Sequence, residues 1–192
     1  VIILCGDTPL ITSDTISDFI EYHKENKADI TVMSAIFDNP FNYGRIIRNI
    51  DKTLKKIVEE KDATTEEKQI QEVNAGIYCI NWNKVKKAFT ELKSNNAQGE
   101  YYLTDIISWG VKHDLNVQAF TLKDNTEILG INSKLQLSEA AKTLNKRNLV
   151  KLMKDGVTII DPDTTWISAD TQIGTDTIIY PSVYITGKNS RE

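Results

Sequence analysis

Four isoleucines at a spacing of six residues constrain the fold of the carboxyl-terminal part of the chain. They are Ile167, Ile173, Ile179 and Ile185, with mostly small or polar residues between them. This pattern is typical of a parallel β-helix, in which each isoleucine points inward at one corner. If a coil takes about three hexapeptides, the repeat stops at Arg191 and Glu192 after little more than one coil, whereas repeat arrays need about three units for stability. We therefore expect the natural sequence to continue.

The first ten residues predict a strand that ends beside a ligand. A continuous apolar run leads into Cys5, Gly6, Asp7 and Pro9, which predicts a strand buried on both faces with a carboxylate at its carboxyl end. Open α/β sheets place ligands at that end. Gly6 allows close backbone approach, and Asp7 offers a hard oxygen ligand suited to Mg²⁺. The alternative is an ordinary strand-to-helix turn capped by Asp7. Because the chain begins inside this strand and without Met, we also expect preceding sequence.

Further along, strand and helix patterns alternate. Thr12, Ser13 and Asp14 supply N-cap chemistry for a helix that runs to about residue 26, and the β-branched stretch 28–37 predicts a strand, so this unit favours a parallel sheet. The later patterns predict strands at 54–59, 73–80, 117–122 and 127–132. They also predict helices at 81–92 and 133–154, and a further helix that the stretch 99–107 enters and that runs to about residue 113.

Three features in or beside the predicted strands need an interpretation of their own. Gly44 at a strand start indicates either a bulge or turn, which is the commoner cause, or a close approach of the backbone to a ligand. Asn74 and Gly76 lie inside a predicted strand, although both residue types are depleted there, which suggests a ligand-facing edge or a bulge. The charged cluster 59–62 is by itself most simply a solvated loop.

Composition excludes several classes of partner. The 192 residues have a net charge of −4 and a pI near 5.3, which gives no support for binding to nucleic acid or an acidic membrane. No apolar run approaches the roughly 20 residues of a membrane span and no signal peptide is present, so we expect a cytoplasmic protein. Cys5 and Cys79 are interpreted as buried free thiols, and His23 and His113 as surface residues that form no zinc site.

The motifs taken together resemble one family, the bifunctional bacterial enzyme that is N-acetylglucosamine-1-phosphate uridylyltransferase and glucosamine-1-phosphate N-acetyltransferase. The resemblance covers the whole chain. It rests on Gly-Asp-Thr-Pro-Leu from Gly6, Tyr43-Gly44-Arg45-Ile46, Val58-Glu59-Glu60-Lys61-Asp62-Ala63, the stretch 69–77, the stretch 95–105 that contains Glu-Tyr-Tyr-Leu-Thr-Asp, and Gly-Ile-Asn-Ser-Lys-Leu from Gly130.

The resemblance implies an α/β fold in two parts. The first is part of a Rossmann-like nucleotide-diphospho-sugar transferase domain, with a mixed sheet flanked by helices. The second is the start of a left-handed parallel β-helix of hexapeptide repeats. The implied boundaries are 1–133 for the uridylyltransferase part, 134–155 for a linker helix, and 156–192 for the first coil of the acetyltransferase domain.

The implied reaction is attack by N-acetylglucosamine-1-phosphate on the α-phosphorus of UTP, giving UDP-N-acetylglucosamine and pyrophosphate for the synthesis of peptidoglycan and lipopolysaccharide. Such chemistry depends on positioning and charge neutralisation. By resemblance, Asp7 and Asn132 are the Mg²⁺ ligands. The substrate-binding residues are Cys5, Gly6, Asp7, Gly44, Glu59, Asn74 and Asn132, with Tyr43 and Tyr102 as further pocket members. The intact enzyme would also acetylate glucosamine-1-phosphate from acetyl-CoA and form homotrimers.

Two parts of the family pattern are absent from these 192 residues: the phosphate-gripping Gly-rich loop and the acetyltransferase site with its catalytic His. We therefore expect the chain alone to catalyse neither reaction. Two alternatives stay open, namely another sugar-1-phosphate nucleotidylyltransferase with a β-helix tail, and a non-catalytic trimerisation module.

Overall fold

In the computed structural model, which describes residues 1–187, strands and helices alternate along a first unit, Val1–Leu129. Its elements in chain order are β1 (Ile2–Ile3), α1 (Ser13–Glu25), β2 (Ile30–Ile36), β3 (Arg45–Arg48), β4 (Leu54–Val58), β5 (Glu72–Ile80), α2 (Trp82–Val85), α3 (Ala88–Glu91), α4 (Asp105–Lys112) and β6 (Val117–Thr121). Two short 3₁₀ helices, Glu67–Gln69 and Asn125–Ile128, complete it.

The long strand β5 is the centre of a mixed sheet. The strand order is β4-β3-β5-β2-β6, and β1 also pairs with β5. Strands β2 and β6 run parallel, while β5 is antiparallel to β1, β2 and β3. The predicted mixed sheet flanked by helices is therefore confirmed. The parallel relation expected between β1 and β2 is present, but β5 lies between them.

Apolar residues cover both faces of this sheet, because successive side chains on a strand point to opposite faces. Ile30 and Val32 of β2 belong to one buried cluster, with Tyr78, Ile106 and Ile107. Met33 and Ala35 belong to the other, with Phe19, Val73 and Ile77. Helix α4 contributes to the first cluster and α1 to the second.

The pairing of β2 with β5 contains an irregularity. Val32 lies opposite Tyr78 and Ser34 lies opposite Asn74, so one residue of β2 faces three residues of β5. Within that stretch Gly76 has φ of +73°, a conformation that glycine adopts without steric cost. The unusual Asn and Gly of this strand therefore mark a bulge.

Three sequence predictions for the first unit were wrong. The first strand is short and not buried on both faces, because Val1 and Leu4 are 64% and 51% exposed and only Ile2 and Ile3 pair with β5. The predicted strand 127–132 is instead the 3₁₀ helix ending at Ile128. The predicted helix 81–92 is split into α2 and α3, and Asn81 makes no side-chain cap.

Buried polar groups explain some of these differences. In the 3₁₀ helix, Glu127 is buried and its carboxylate accepts hydrogen bonds from Thr12 N at 3.0 Å and Thr15 Oγ1 at 3.0 Å, at the start of α1. The 3₁₀ helix thus carries a buried carboxylate that binds the first turn of α1. His23, predicted at the surface, is half-buried, with Nδ1 2.7 Å from Thr31 Oγ1. Cys79 is buried, whereas Cys5 is only partly buried, and both thiols are free.

The second unit begins at Gly130. Ser133 caps the long helix α5 (Lys134–Lys154) by accepting from Gln136 N. Up to residue 187, four two-residue strands follow: β7 (Thr158–Ile159), β8 (Trp166–Ile167), β9 (Ile178–Ile179) and β10 (Tyr184–Ile185).

The short strands pair in parallel, β7 with β9 and β8 with β10. Ile167 and Ile179 are buried in a cluster with Leu149 and Leu152 of α5, and Ile173 and Ile185 pack against it. The end of the repeat predicted at Arg191 and Glu192 lies outside the described residues. Among residues 1–187, no helix has both the length and the apolar character needed to cross a membrane.

Candidate functional site

Gly44 and Glu59 face each other across the β3–β4 hairpin. Gly44 directly precedes β3 and Glu59 directly follows β4, and the adjacent residues Arg45 and Val58 are paired. A Cβ atom added to Gly44 would lie 3.2 Å from Oε2 of Glu59 and 3.2 Å from Cγ2 of Ile57. The missing side chain of Gly44 is therefore what leaves room for the Glu59 carboxylate.

The Glu59 carboxylate lies in an electrostatically unfavourable place for a charge. Burial raises its pKa, and the negative charges of Asp62 and Asp105 raise it further, whereas the hydrogen bond from Thr104 opposes this shift. Thr104 is buried, and its Oγ1 donates to Oε1 of Glu59 at 3.0 Å. Within residues 1–187, Oε2 of Glu59 has no hydrogen-bond donor, so it can accept from a ligand.

Asn74 joins this pair through the backbone. Its N–H donates to the carbonyl oxygen of Gly44 at 2.9 Å. The side-chain oxygen Oδ1 of Asn74 accepts from the N–H of Gly76 at 2.9 Å and from the hydroxyl of Tyr78 at 3.1 Å. The bulge in β5 thus places a polar amide next to the hairpin that carries Gly44 and Glu59.

Cys5 connects the end of β1 to the same bulge. Its Sγ donates to the carbonyl oxygen of Gly76 at 3.3 Å, and burial followed by the charge of Asp7 raises the pKa of the thiol. Gly6 and Asp7 come next and are exposed, and no atom lies within 4 Å of a Cβ placed on Gly6. The backbone at Gly6 is therefore open to a ligand on the side where a side chain would stand.

The structure brings together four of the predicted residues in one series of contacts: Cys5 to Gly76, Gly76 to Asn74, Asn74 to Gly44, and Gly44 to Glu59. The other two positions of the first strand end, Gly6 and Asp7, directly follow Cys5 in sequence. Their proposed roles toward a ligand stay predictions.

The two predicted tyrosines have different surroundings. Tyr43 stacks on Phe37, with ring centroids 5.2 Å apart, and its carbonyl accepts a hydrogen bond from buried Arg45. Tyr102 lies in the loop before α4, where its hydroxyl accepts from Nε2 of Gln98 at 2.9 Å. Lys61 in turn donates to Oε1 of Gln98 at 2.6 Å, so this loop is tied to the charged segment after β4.

Asn132 belongs to the second unit. It is exposed, its backbone N–H donates to Oε1 of Gln136 at 2.8 Å, and the following Ser133 makes the helix cap. Helix capping therefore does not account for the Asn132 side chain. Its pairing with Asp7 as a metal ligand stays a prediction.

Sequence reasoning did not assign a role to Thr104 or Tyr78. Thr104 lies in the Glu-Tyr-Tyr-Leu-Thr-Asp motif, so the motif carried a signal that a buried hydroxyl next to Glu59 now explains. Tyr78 gave no such signal, because an apolar position in a strand is an ordinary place for tyrosine.

The chain is similar to known proteins both in sequence and in structure. A family model for nucleotidyl transferases matches residues 1–166. The bifunctional protein GlmU of Acetivibrio thermocellus is 52% identical over 185 residues, which are 96% of this chain and 40% of that protein. The bifunctional protein GlmU of Clostridioides difficile is 47% identical over 188 residues, 98% of this chain and 41% of that protein.

A crystal structure of a putative glucose-1-phosphate thymidylyltransferase from Bacillus anthracis, in complex with a sucrose, is similar with a TM-score of 0.52 and 23% identity. The structural match covers 72% of this chain and 52% of the thymidylyltransferase chain. At this identity the likeness concerns the fold alone. The chain spans about two fifths of the length of the curated relatives it matches.

Proposed function

The chain belongs to the nucleotidyl transferase family, and we propose that in the intact protein it provides the sugar-binding side of a uridylyltransferase site. The proposed reaction joins UTP and N-acetylglucosamine-1-phosphate to give UDP-N-acetylglucosamine and pyrophosphate. The observation that supports it most is the cluster of Gly44, Glu59 and Asn74, three residues distant in sequence, in which Gly44 lies against the Glu59 carboxylate and accepts a hydrogen bond from the N–H of Asn74.

The cluster supplies what a sugar needs for recognition. Sugar hydroxyls both donate and accept hydrogen bonds, so a site needs acceptors and donors side by side. Oε2 of Glu59 is an acceptor and the side-chain NH₂ of Asn74 a donor. Partial burial of both strengthens such bonds, since fewer water molecules compete. The match to the nucleotidyl transferase family and the sequence resemblance described above support the choice of reaction.

We propose that Asp7 and Asn132 hold Mg²⁺. The chemistry of this donor set fits the ion, because a carboxylate oxygen and an amide oxygen are hard ligands and Mg²⁺ usually keeps several waters and substrate phosphate oxygens. Among the described residues, no group of three His, Cys, Asp or Glu side chains could hold a metal by itself. Bound Mg²⁺ would neutralise charge on the phosphates.

The residues of this chain would contribute by binding and orienting the substrate. Gly6 would admit the nucleotide sugar against the backbone, and Glu59 and Asn74 would fix the sugar so that its phosphate oxygen faces the α-phosphorus of UTP. Orientation of this kind is a large part of catalysis in phosphoryl transfer. No covalent enzyme intermediate is required.

For the second unit we propose the first coil of a left-handed parallel β-helix. The parallel pairs of β7 with β9 and β8 with β10, and the isoleucines at six-residue spacing, support this. By the sequence resemblance, the intact protein would also acetylate glucosamine-1-phosphate from acetyl-CoA, in the cytoplasm and as a homotrimer. The 192 residues alone would catalyse neither reaction.

The test measures pyrophosphate release by the intact protein from UTP and Mg²⁺, with N-acetylglucosamine-1-phosphate or glucose-1-phosphate as acceptor. We expect a marked preference for the N-acetylated sugar. Asp7→Ala and Asn132→Ala should each abolish uridylyl transfer and leave acetyl transfer largely intact, which makes acetyl transfer the internal control. Uridylyl transfer at wild-type rate in both variants would contradict the proposed roles.

A second measurement uses the 192 residues alone. Calorimetric titration with UDP-N-acetylglucosamine and Mg²⁺, compared with UDP-glucose, would show whether the cluster binds the sugar unaided. Binding selective for the N-acetyl sugar would support the proposed site. Equal binding of both nucleotide sugars would contradict it.

A further inference from the structure

The side-chain amide of Asn74 has its orientation fixed from inside the protein. A carbonyl-type oxygen has two lone pairs, and Oδ1 of Asn74 already accepts two hydrogen bonds, from Gly76 N and Tyr78 Oη. The reverse orientation would place the NH₂ group against the N–H of Gly76, donor against donor. Within residues 1–187, Nδ2 of Asn74 makes no hydrogen bond. Asn74 therefore presents its NH₂ group as a donor.

Tyr78 is built to hold that orientation. Its side chain is 1% exposed, which shields the hydroxyl from water. Among the described residues, Asn74 is the only hydrogen-bond partner of that hydroxyl. Burial raises the pKa of the phenol well above its usual value, and the nearby charge of Glu59 raises it further, so the hydroxyl keeps its proton. A buried hydroxyl that lost its acceptor would be left unsatisfied, which favours the observed pairing.

The bulge in β5 brings the two side chains together. In a regular strand, residues four apart are separated by about 13 Å, since each residue advances the chain by about 3.3 Å. Here three residues of β5 lie opposite one residue of β2 between Asn74 and Tyr78, which shortens that path. Gly76, at the middle of the bulge, directs its N–H to Asn74 and its carbonyl to Cys5.

We propose that Tyr78 is a positioning residue, which holds Asn74 with its NH₂ group toward the sugar pocket and so selects a sugar phosphate that offers a hydrogen-bond acceptor at that point. This inference rests on the proposed function. It adds a residue from outside the predicted site, and it assigns Asn74 the role of donor and not of acceptor.

The test is steady-state kinetics of the intact protein carrying Tyr78→Phe. Loss of one positioning hydrogen bond should raise the KM for N-acetylglucosamine-1-phosphate about fivefold to tenfold, and kcat and the KM for UTP should stay within about twofold. The matched control is Tyr22→Phe, because the Tyr22 hydroxyl also bonds within the first unit, to the carbonyl of Ala119 at 3.4 Å. That variant should keep all three constants. A KM unchanged in Tyr78→Phe, or equal changes in both variants, would overturn the proposal.

Asn74→Asp tests the donor role. A carboxylate still accepts from Gly76 and Tyr78, so the variant should fold, but it has no hydrogen to donate to the sugar. We expect the KM for the sugar phosphate to rise at least about tenfold, and Tyr78→Phe to add no further increase in the Asn74→Asp background. Wild-type KM in Asn74→Asp, or additive effects of the two changes, would contradict the assignment.

A readout without turnover separates this inference from the proposed function. In ¹⁵N-labelled intact protein, the side-chain NH₂ signal that disappears in Asn74→Asp identifies Asn74. We expect that signal to be sharp in the wild type and broadened in Tyr78→Phe, even if N-acetylglucosamine-1-phosphate proves not to be a substrate. An identical signal in both proteins would overturn the positioning role whatever the substrate is.

Discussion

The carboxylate of Glu59 occupies the space that a side chain at position 44 would need, with Oε2 3.2 Å from a Cβ placed on Gly44. Gly44 does not have a positive φ, so alanine is allowed there by backbone geometry. The requirement for glycine at position 44 therefore comes from its neighbours, the Glu59 carboxylate and the side chain of Ile57, and not from the backbone. This relationship makes the site sensitive to a single methyl group.

Gly44→Ala should displace the Glu59 carboxylate and weaken sugar binding. We expect the KM of the intact protein for N-acetylglucosamine-1-phosphate to rise about tenfold, which corresponds to about 1.4 kcal/mol of lost binding. The control is Gly174→Ala, because a Cβ on Gly174 meets no atom within 4 Å and its φ is not positive. Equal kinetics of both variants would show that the Glu59 position does not matter.

Gly6→Ala should leave the stability of the fold unchanged and weaken the binding of a nucleotide sugar. Since a Cβ on Gly6 meets nothing within 4 Å, the free energy of unfolding should change by less than about 0.5 kcal/mol. If a nucleotide sugar approaches the backbone there, its binding should still fall about tenfold or more. Urea unfolding and calorimetric titration with UDP-N-acetylglucosamine measure the two quantities. Unchanged affinity would remove Gly6 from the site.

Gly76→Ala should destabilise the first unit for two reasons. Its φ of +73° strains an alanine, and the added Cβ would lie 2.5 Å from Sγ of Cys5, so we expect a loss of about 2–4 kcal/mol. Gly99→Ala is the matched control, with φ of +67° and no atom within 4 Å, and should lose only about 1–2 kcal/mol. Urea unfolding measures both.

The double variant Cys5→Ala with Gly76→Ala should recover part of that loss, because it removes the sulfur but not the strained φ. A coupling free energy of about 1 kcal/mol or more between the two positions is expected, as for residues in contact. Strict additivity would show that Cys5 does not limit position 76.

Glu59→Gln should change how stability depends on pH. Because burial raises the pKa of Glu59 in the folded protein, its favourable contribution is complete below its ordinary pKa and is lost as pH rises through the folded pKa. Glutamine does not ionise. The variant should therefore gain thermal stability relative to wild type as pH rises from about 4 to about 7.

For Glu67→Gln we expect the change in stability with pH to have the opposite sign. Hydrogen bonds from Thr64 N and from Lys56 lower the pKa of Glu67, so its contribution is present above its ordinary pKa and is lost as pH falls through the folded pKa. This variant should be less stable than the wild type near neutral pH, and the difference in stability should shrink as the pH falls. Parallel pH curves for the two variants would contradict at least one of the two assignments.

Local sequence signals predicted much of the fold. Thr12 begins α1 as expected, since its hydroxyl accepts from Thr15 N, and cap chemistry acts within one turn. The six-residue period placed Ile167 and Ile179 in one buried cluster. Predictions were wrong where the local structure depends on residues distant in sequence. Glu127 is an example, because its carboxylate accepts a hydrogen bond from the start of a helix more than 100 residues earlier.

For the site, sequence similarity named Gly44, Glu59 and Asn74, and the contacts among them depend on how β3, β4 and β5 pair. No local pattern indicates that Thr104 donates to Glu59 or that Tyr78 reaches back to Asn74, because both contacts depend on tertiary structure. Residues that support a binding group are therefore harder to read from sequence than the group itself.

The central position of β5 has a consequence for synthesis on the ribosome. Strands β1, β2 and β3 all pair with residues 72–80, which are translated after them, whereas β3 and β4 can pair as a local hairpin. Until residue 80 has left the exit tunnel, the earlier strands have no partner at the centre of the sheet. Nascent chains released before that point would expose unpaired strand edges, and such edges are prone to aggregation.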